Sequence, residues 1–233
     1  MDEILYQNNI GLPPGDPPAW PTPTRLRERV TTERAAVDAV LDEALVCHAG
    51  LVVDGRPHVL PTLHARLGDT LYLHGSTAAR MLAAARPAGV AVCVTVTIVD
   101  GLVLARSAFH HSINYRSVVI QADATLVTDP ALKRTALAAL VERVGTGRSG
   151  GSRPPNAKEL AATAVLAVPL AGARCDVALK RRTGPPLDDD EDLALGYWAG
   201  VVPVRLVAGG PVTDQACRQP VPANLAPTMA TLH

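Results

Sequence analysis

Two short stretches concentrate the side chains that can do chemistry. In His74-Gly75-Ser76-Thr77-Ala78-Ala79-Arg80 an imidazole, two hydroxyls and a guanidinium stand between an apolar run and a helix-forming one. A strand that ends there and a helix that begins there would present free backbone N–H groups beside Arg80, which suits a phosphate. An ordinary helix cap by Ser76 or Thr77, with Arg80 solvated, accounts for the same residues. The second stretch, Phe109-His110-His111-Ser112-Ile113-Asn114-Tyr115-Arg116-Ser117, is a polar and aromatic knot between apolar segments. His110 and His111 are candidate ligands for a metal or a haem iron, but neighbours on a strand face opposite ways and chelate poorly together. The plainer alternative is one exposed and one hydrogen-bonded histidine, with Tyr115 and Arg116 packing a strand end.

Histidines 48, 58, 64 and 74 each fall in or beside an expected strand, where a lone histidine is more often a core or rim residue than a catalyst. Trp198 is one of two tryptophans in a chain with 3% aromatic residues, so a stacking role competes with plain core filling. The patterns G-x-G-x-x-G after a strand, G-x-x-x-x-G-K-[ST] and H-E-x-x-H do not occur, which removes standard dinucleotide, P-loop and zincin readings. Cys47, Cys93, Cys175 and Cys217 form no C-x-x-C pair, so neither a zinc site nor a disulfide framework is expected.

The elements that must position these residues are mostly strands. A Pro-rich arm over residues 1–24 precedes a helix expected over Thr32 to Glu43, where Val37, Val40, Leu41 and Ala44 recur at helical spacing. Leu45–Val53, Pro57–Arg66 and Thr70–His74 read as a meander turned by Asp54-Gly55 and Gly68-Asp69, and a helix is expected over Ser76 to Arg86. Val90–Val99 and Leu102–Ala108, with a hairpin at Asp100-Gly101, and then Asn114–Leu126 follow as strands. Asp129-Pro130 opens a helix with Leu132, Ala136, Leu137, Leu140, Val141 and Val144 as one stripe. A loop over 146–155, a short helix at 156–162, strands near 164–169 and 173–179, an acidic run at 188–192 and a last strand over 197–207 complete the pattern. Such a sheet buries its apolar face by closing into a barrel, so one domain over residues 25–222 is expected, with 223–233 as a tail.

Twenty-two basic residues balance 22 acidic ones among 233, so no broad positive footprint exists for nucleic acid or anionic membranes. The longest strongly apolar run, 89–99, is too short to cross a bilayer as a helix, and the N-terminus lacks a basic start and an apolar core. A cytoplasmic protein is the expectation.

The order of Ala44-Leu45-Val46-Cys47-His48-Ala49-Gly50, Val59-Leu60-Pro61-Thr62, Leu71-Tyr72-Leu73-His74-Gly75-Ser76, Val92-Cys93-Val94-Thr95-Val96-Thr97, Asp100-Gly101-Leu102-Val103 and the 109–117 knot carries a resemblance. The chain resembles the FMN-binding split-barrel family that includes pyridoxamine 5′-phosphate oxidase, and within it the nitroimidazole-resistance-like, flavin-nucleotide-binding branch. The resemblance implies a mainly β, antiparallel, Greek-key-like split barrel with flanking helices. It further implies a homodimer with FMN at the interface and a small-molecule substrate beside it. Pro61, Thr62 and Leu63 would lie against the flavin ring, and His74, Gly75, Ser76 and Arg80 at its phosphate. Tyr115, Arg116 and Ser117 would be close to the cofactor, and Trp198 would reach it from the partner subunit.

An FMN-dependent oxidoreductase of nitroreductase-like or oxidase type is the activity so implied, with no catalytic side chain needed because the flavin does the redox chemistry. Related split barrels hold haem or the deazaflavin F420, so a haem enzyme with His64, His74, His110 or His111 as axial ligand is the alternative, and a non-catalytic flavin or small-molecule binder is a third. The segment 175–186, the Gly- and Ser-rich loop at 146–153 and the Pro-rich arm depart from the family pattern. The C-terminal segment also lacks the full substrate-phosphate pattern of pyridoxamine phosphate oxidase itself.

Overall fold

Apolar, β-branched runs separated by short polar turns leave this chain few alternatives to a closed sheet. The computed structural model describes residues 27–77 and 89–223. A 3-10 turn, Arg27–Arg29, leads into β1 (Val30–Thr31) and helix α1 (Arg34–Glu43), followed by β2 (Val46–Val53), β3 (Arg56–Leu67) and β4 (Thr70–Ser76). The long strands β5 (Val90–Leu104) and β6 (Ser112–Leu126) come next, then α2 (Pro130–Val144), α3 (Ala157–Ala162) and β7 (Thr163–Pro169). Strand β8 (Cys175–Arg182), the one-turn helix α4 (Asp190–Leu193) and β9 (Gly200–Pro203) end the fold. The expected arm at 1–24, the helix at 76–86 beyond Thr77, and nearly all of the tail lie outside the described residues.

Strands run in the order β1-β8-β6-β7-β4-β3-β2-β5-β9, and β5 pairs again with β6. That second pairing closes β6, β7, β4, β3, β2 and β5 into a ring, with β8 and β1 extending it beyond β6 and β9 beyond β5. Every pairing is antiparallel. Strand β6 is shared: residues 112–124 pair with β5, and only Thr125 and Leu126 reach β7, so the barrel is split. Closure removes most of the edges that would otherwise template aggregation.

Alternation fills the interior. Cys47, Ala49, Leu51 and Val53 of β2 meet Val92, Val94 and Val96 of β5 and Val118, Ile120, Ala122 and Ala124 of β6. Helix α1 plugs this core with Val37, Val40 and Leu41. Burial pushes the Cys47 thiol up to about 12, so it is an inert core residue. Helix α2 lies outside the barrel, where Ala136 packs on Tyr72, Val127 and Val165. Its start is capped as the sequence indicates, the Asp129 carboxylate accepting from the N–H groups of Ala131 and Leu132. Of its six-residue stripe only Ala136 and Leu140 are buried, while Leu132, Val141 and Val144 face solvent.

Two expectations are corrected. Asp54-Gly55 turns a hairpin, both residues taking the positive φ (50° and 73°) that such a tight turn needs. Asp100-Gly101 does not: β5 runs straight through it, with a register shift between Val99 and Gly101 against β6. The pair is a bulge, stabilised because it turns the Asp100 carboxylate onto Arg116 and brings Gly101 under β9, where a Cβ would meet Val201 at 2.9 Å. The last strand is likewise only Gly200–Pro203, because β5 offers it four partners, Gly101 to Leu104. Among the described residues no helix is long and apolar enough to cross a membrane.

Candidate functional site

The barrel presents one broad outer face, and register decides which expected residues share it. Cys47 and Ala49 point inward, so Val46 and His48 face out, beside Leu63 and Pro61 of β3 respectively. The face continues from His48 to Thr95, and along β5 and β6 through the pairs Thr97–Ser117 and Val99–Tyr115. Pro61, Leu63, Tyr115 and Ser117 are therefore brought together on one surface. Thr62 pairs with buried Cys47 and belongs to the opposite side, its hydroxyl turned to the Leu63 carbonyl. The face is apolar for a solvated sheet, with Val52 and Val59 each more than 60% exposed.

A cleft of about 600 Å³ opens at the end of this face, walled by Val46, Thr97, Val99, Val204 and Leu206. Its polar floor is a closed network. Arg116 donates two hydrogen bonds to Asp100, at 2.8 and 3.0 Å, and two to Glu43. Hydrogen bonding to Glu43 and then Asp100 raises the Arg116 pKa further, so this guanidinium is permanently charged and fully paired. It lines the cleft without offering a free charge to a phosphate. Below the floor, Arg143 of α2 donates to the carbonyls of Asp42 and Ala44 at the C-terminus of α1, the end of a helix that favours a cation.

His64 completes this end of the barrel. It has no solvent exposure, its Nε2 lies 2.9 Å from the Leu41 carbonyl, and burial pushes its pKa down. His74, at the far end of β4, is half-buried, its Nδ1 is enclosed without a partner, and burial lowers its pKa too. Gly75 and Ser76 continue β4 in register with Ala164 and Thr163, and the Thr77 N–H donates to the Ala162 carbonyl. Strand pairing thus reaches Ser76, two residues past the expected end at His74, and Arg80 lies outside the described residues.

The second stretch forms a clamped turn between β5 and β6. The Asp188 side chain, 1% exposed, accepts from the backbone N–H groups of Arg106 and Ser107 and from the Arg106 guanidinium. Burial alone would raise its pKa, but those donors outweigh it and hold the carboxyl low. Arg182 reinforces the clamp by donating to Asn114 and, at 3.1 Å, to the Pro185 carbonyl. Inside the turn, His110 Nδ1 lies 3.0 Å from Ser107 Oγ and 3.6 Å from Asp192, and with Asp189 these ligand atoms sit within 4.8 Å of one another. His111 Nδ1 is 2.9 Å from the Ser107 carbonyl. Phe109, the sole phenylalanine, is 89% exposed and touches His110 edge-on at 5.2 Å. Trp198 is also mostly exposed, its indole resting on Gly200 just before β9.

Glu43, Asp100, Asp188 and Arg182 were not singled out by sequence reasoning. The only trace of Asp188 is its place in an acidic run, since its partners are more than 80 residues away.

An antiparallel split barrel with this strand order is the fold class of the pyridoxamine 5′-phosphate oxidases, and residues 33–175, more than half of the chain, match pyridoxamine 5′-phosphate oxidase. The chain belongs to the pyridoxamine 5′-phosphate oxidase family. Among solved structures it is similar to the flavocytochrome Anf3 from Azotobacter vinelandii, with 38% identity, TM-score 0.80, and coverage of 87% of this chain and 93% of that one. It is equally similar to the FAD and heme binding protein from Mycobacterium smegmatis, at 38% identity and TM-score 0.80, covering 88% and 98%. A 5-nitroimidazole antibiotic resistance protein from Bacteroides thetaiotaomicron shares the fold at 19% identity, TM-score 0.52, covering 64% and 86%. No curated protein matches the chain.

Proposed function

We propose that this chain is a homodimeric flavin- and haem-binding redox protein, an oxidoreductase acting on a small molecule in the cleft at the end of the outer face. The observation that carries the reading is 38% identity, over 87% and 88% of this chain, to two proteins whose names join flavin and haem. The sequence resemblance argues for FMN, and the name of the mycobacterial protein for FAD.

The residues fit both groups. For the flavin, the cleft has the volume of a small-molecule site and walls of valine and leucine beside Leu63 and Pro61. Arg116 is neutralised by Glu43 and Asp100, and the phosphate is assigned, on the sequence resemblance, to His74, Gly75, Ser76 and Arg80. For the haem, an imidazole with an open nitrogen is the commonest axial ligand. His64 fails, being fully buried with Nε2 on the Leu41 carbonyl, whereas the 105–111 turn presents imidazole at the surface. Bound there, the flavin would supply hydride and one-electron chemistry and the haem one-electron chemistry. The protein's own part is to exclude water with Val46, Val99, Val204 and Leu206 and to orient the ring through the adjoining strand. A second copy of the chain covers the exposed Val52 and Val59, which a solvated sheet would not otherwise carry.

The test is to reconstitute the purified protein with FMN, FAD and haemin separately, desalt, and record which chromophore stays, alongside its mass by analytical ultracentrifugation. Retention of a flavin and of haem by a dimer is expected, with flavin bleaching on addition of NADH or NADPH. Flavin without haem would leave an oxidoreductase of the FMN type. Haem without flavin would make it a haem enzyme. A retained flavin that no reductant bleaches would mark a non-catalytic binder.

A further inference from the structure

The geometry points to His111 as the axial ligand of the haem, through Nε2, with the macrocycle lying on an apolar shelf made by Ile113, Leu102 and Val202 and edged by Phe109; this rests on the flavin-and-haem reading above. Histidines that bind metals usually donate their other ring N–H to a backbone carbonyl or a carboxylate, which fixes the tautomer and aims the free lone pair. His111 has that arrangement: Nδ1 is 2.9 Å from the Ser107 carbonyl, so Nδ1 carries the proton and Nε2 points outward as a lone pair. Its support is rigid, because the N–H of Ser107 is held in turn by the buried Asp188.

The other histidines of the described chain lack this combination. His64 is enclosed, and His74 is half-buried beneath the end of β4. His110 also has Nδ1 engaged, by the Ser107 hydroxyl beside the Asp188 and Asp192 carboxylates, but its side chain is only 19% exposed and its ring is the one Phe109 meets edge-on, so it lacks the open face of His111. His48 and His58 stand on β2 and β3 with no hydrogen bond that orients either ring.

The surface beside His111 is shaped for a large planar apolar group. Ile113, two residues on, pairs with Leu102, which pairs with Val202, and each is 40–44% exposed, so three strands contribute one apolar row. Phe109 stands nearly free in water two residues before His111, an unfavourable position for the only phenylalanine unless something covers it. Two residues past Ile113, Tyr115 pairs with Val99, a wall of the cleft, so shelf and cleft lie on the same sheet face.

The experiment compares wild type, His111→Gly, His110→Ala, His74→Ala and Phe109→Ala after haemin reconstitution, reading the Soret band and the electron paramagnetic resonance of the ferric form, with far-ultraviolet circular dichroism as the check on folding. His111→Gly is expected to lose haem on desalting while keeping flavin, and millimolar imidazole is expected to restore the Soret band. His110→Ala and His74→Ala should keep the wild-type spectrum, and Phe109→Ala should keep the ligand signature but release haem faster. Unchanged haem retention and spectrum in His111→Gly would overturn the assignment and leave the flavin-and-haem reading standing. Loss of haem that imidazole does not restore would overturn it as well. A wild type that retains flavin but never haem would overturn both.

Discussion

The cleft floor and the 105–111 turn are built from the same kinds of residue and finish them in opposite ways. At the floor the charges are spent internally except at one nitrogen: Arg116 gives its donors to Glu43 and Asp100, and Arg143 caps the carbonyls that end α1, with only its Nε buried and unpartnered. In the turn the internal bonds stop one atom short. Asp188 and Ser107 satisfy the backbone and one nitrogen of His111, leaving Nε2 and the ring of Phe109 facing outward. Closed networks hold a shape, whereas networks that orient a group and leave it unpaired prepare a site.

The largest effect that separates these roles is expected at Arg116. Arg116→Ala strands two partly buried carboxylates, and the loss of charge-assisted hydrogen bonds to both should cost about 2 kcal/mol of stability in urea unfolding. Flavin affinity, measured by fluorescence on the folded fraction, should change little. If instead stability held and flavin affinity collapsed, the guanidinium would be a cofactor ligand and the contrast would fail. Arg116→Lys should recover only part of the loss, because one ammonium cannot reach both carboxylates in paired fashion.

Asp188 gives the next largest expected effect. Asp188→Ala leaves the N–H groups of Arg106 and Ser107 unpaired and frees the carbonyl that orients His111, so haem affinity should fall about tenfold, the scale of an outer-shell partner. Flavin retention should not move. Asp188→Asn, which keeps an acceptor oxygen, should fall between the two, and equal behaviour of Asn and Ala would show that the charge is what matters. A loss of flavin in step with haem would mean that the clamp supports the barrel rather than the turn.

Legibility in the sequence follows the same division. The strands β2, β3 and β4, the Asp54-Gly55 turn and the Asp129 cap were readable because each depends on residues a few positions apart. Asp100-Gly101 carries the same local signal as a hairpin, but the ladder between β5 and β6 and the pull of Arg116 on Asp100 override it. The knot at 109–117 was visible as a cluster, and Pro61, Leu63, Tyr115 and Ser117 share a face as their alternation allows. Which histidine is oriented was not visible, since that is decided by the Ser107 carbonyl and, through it, by Asp188 from the distant end of the chain.

A smaller effect concerns pH. His64 and His74 both have pKa values lowered by burial, so the folded state resists protonating them while the unfolded chain does not. The stability they allow is complete above the unfolded value of about 6.5 and is lost as pH falls from there toward their folded values. Thermal unfolding followed from pH 7.5 to pH 5 should show a declining midpoint, with His64→Gln flattening the decline more than a change at exposed His111. The opposite ranking would mean that the turn, not the barrel, holds the acid-sensitive imidazole.

The smallest effect tests whether Trp198 belongs with the prepared group. Its indole lies across Gly200 so closely that a Cβ there would meet Cζ2 at 2.9 Å and Cη2 at 3.0 Å. Because the ring is 66% exposed it can swing aside, so Gly200→Ala should alter stability by no more than about 0.5 kcal/mol. If the ring reaches a flavin bound in a dimer, its emission should be quenched when flavin is added, and Gly200→Ala should weaken that quenching by moving the indole. With Trp20→Phe as background the signal comes from Trp198 alone. Equal quenching in both proteins would mean that Gly200 does not set the ring's working position, whereas quenching absent from both would return Trp198 to a plain surface residue beside β9.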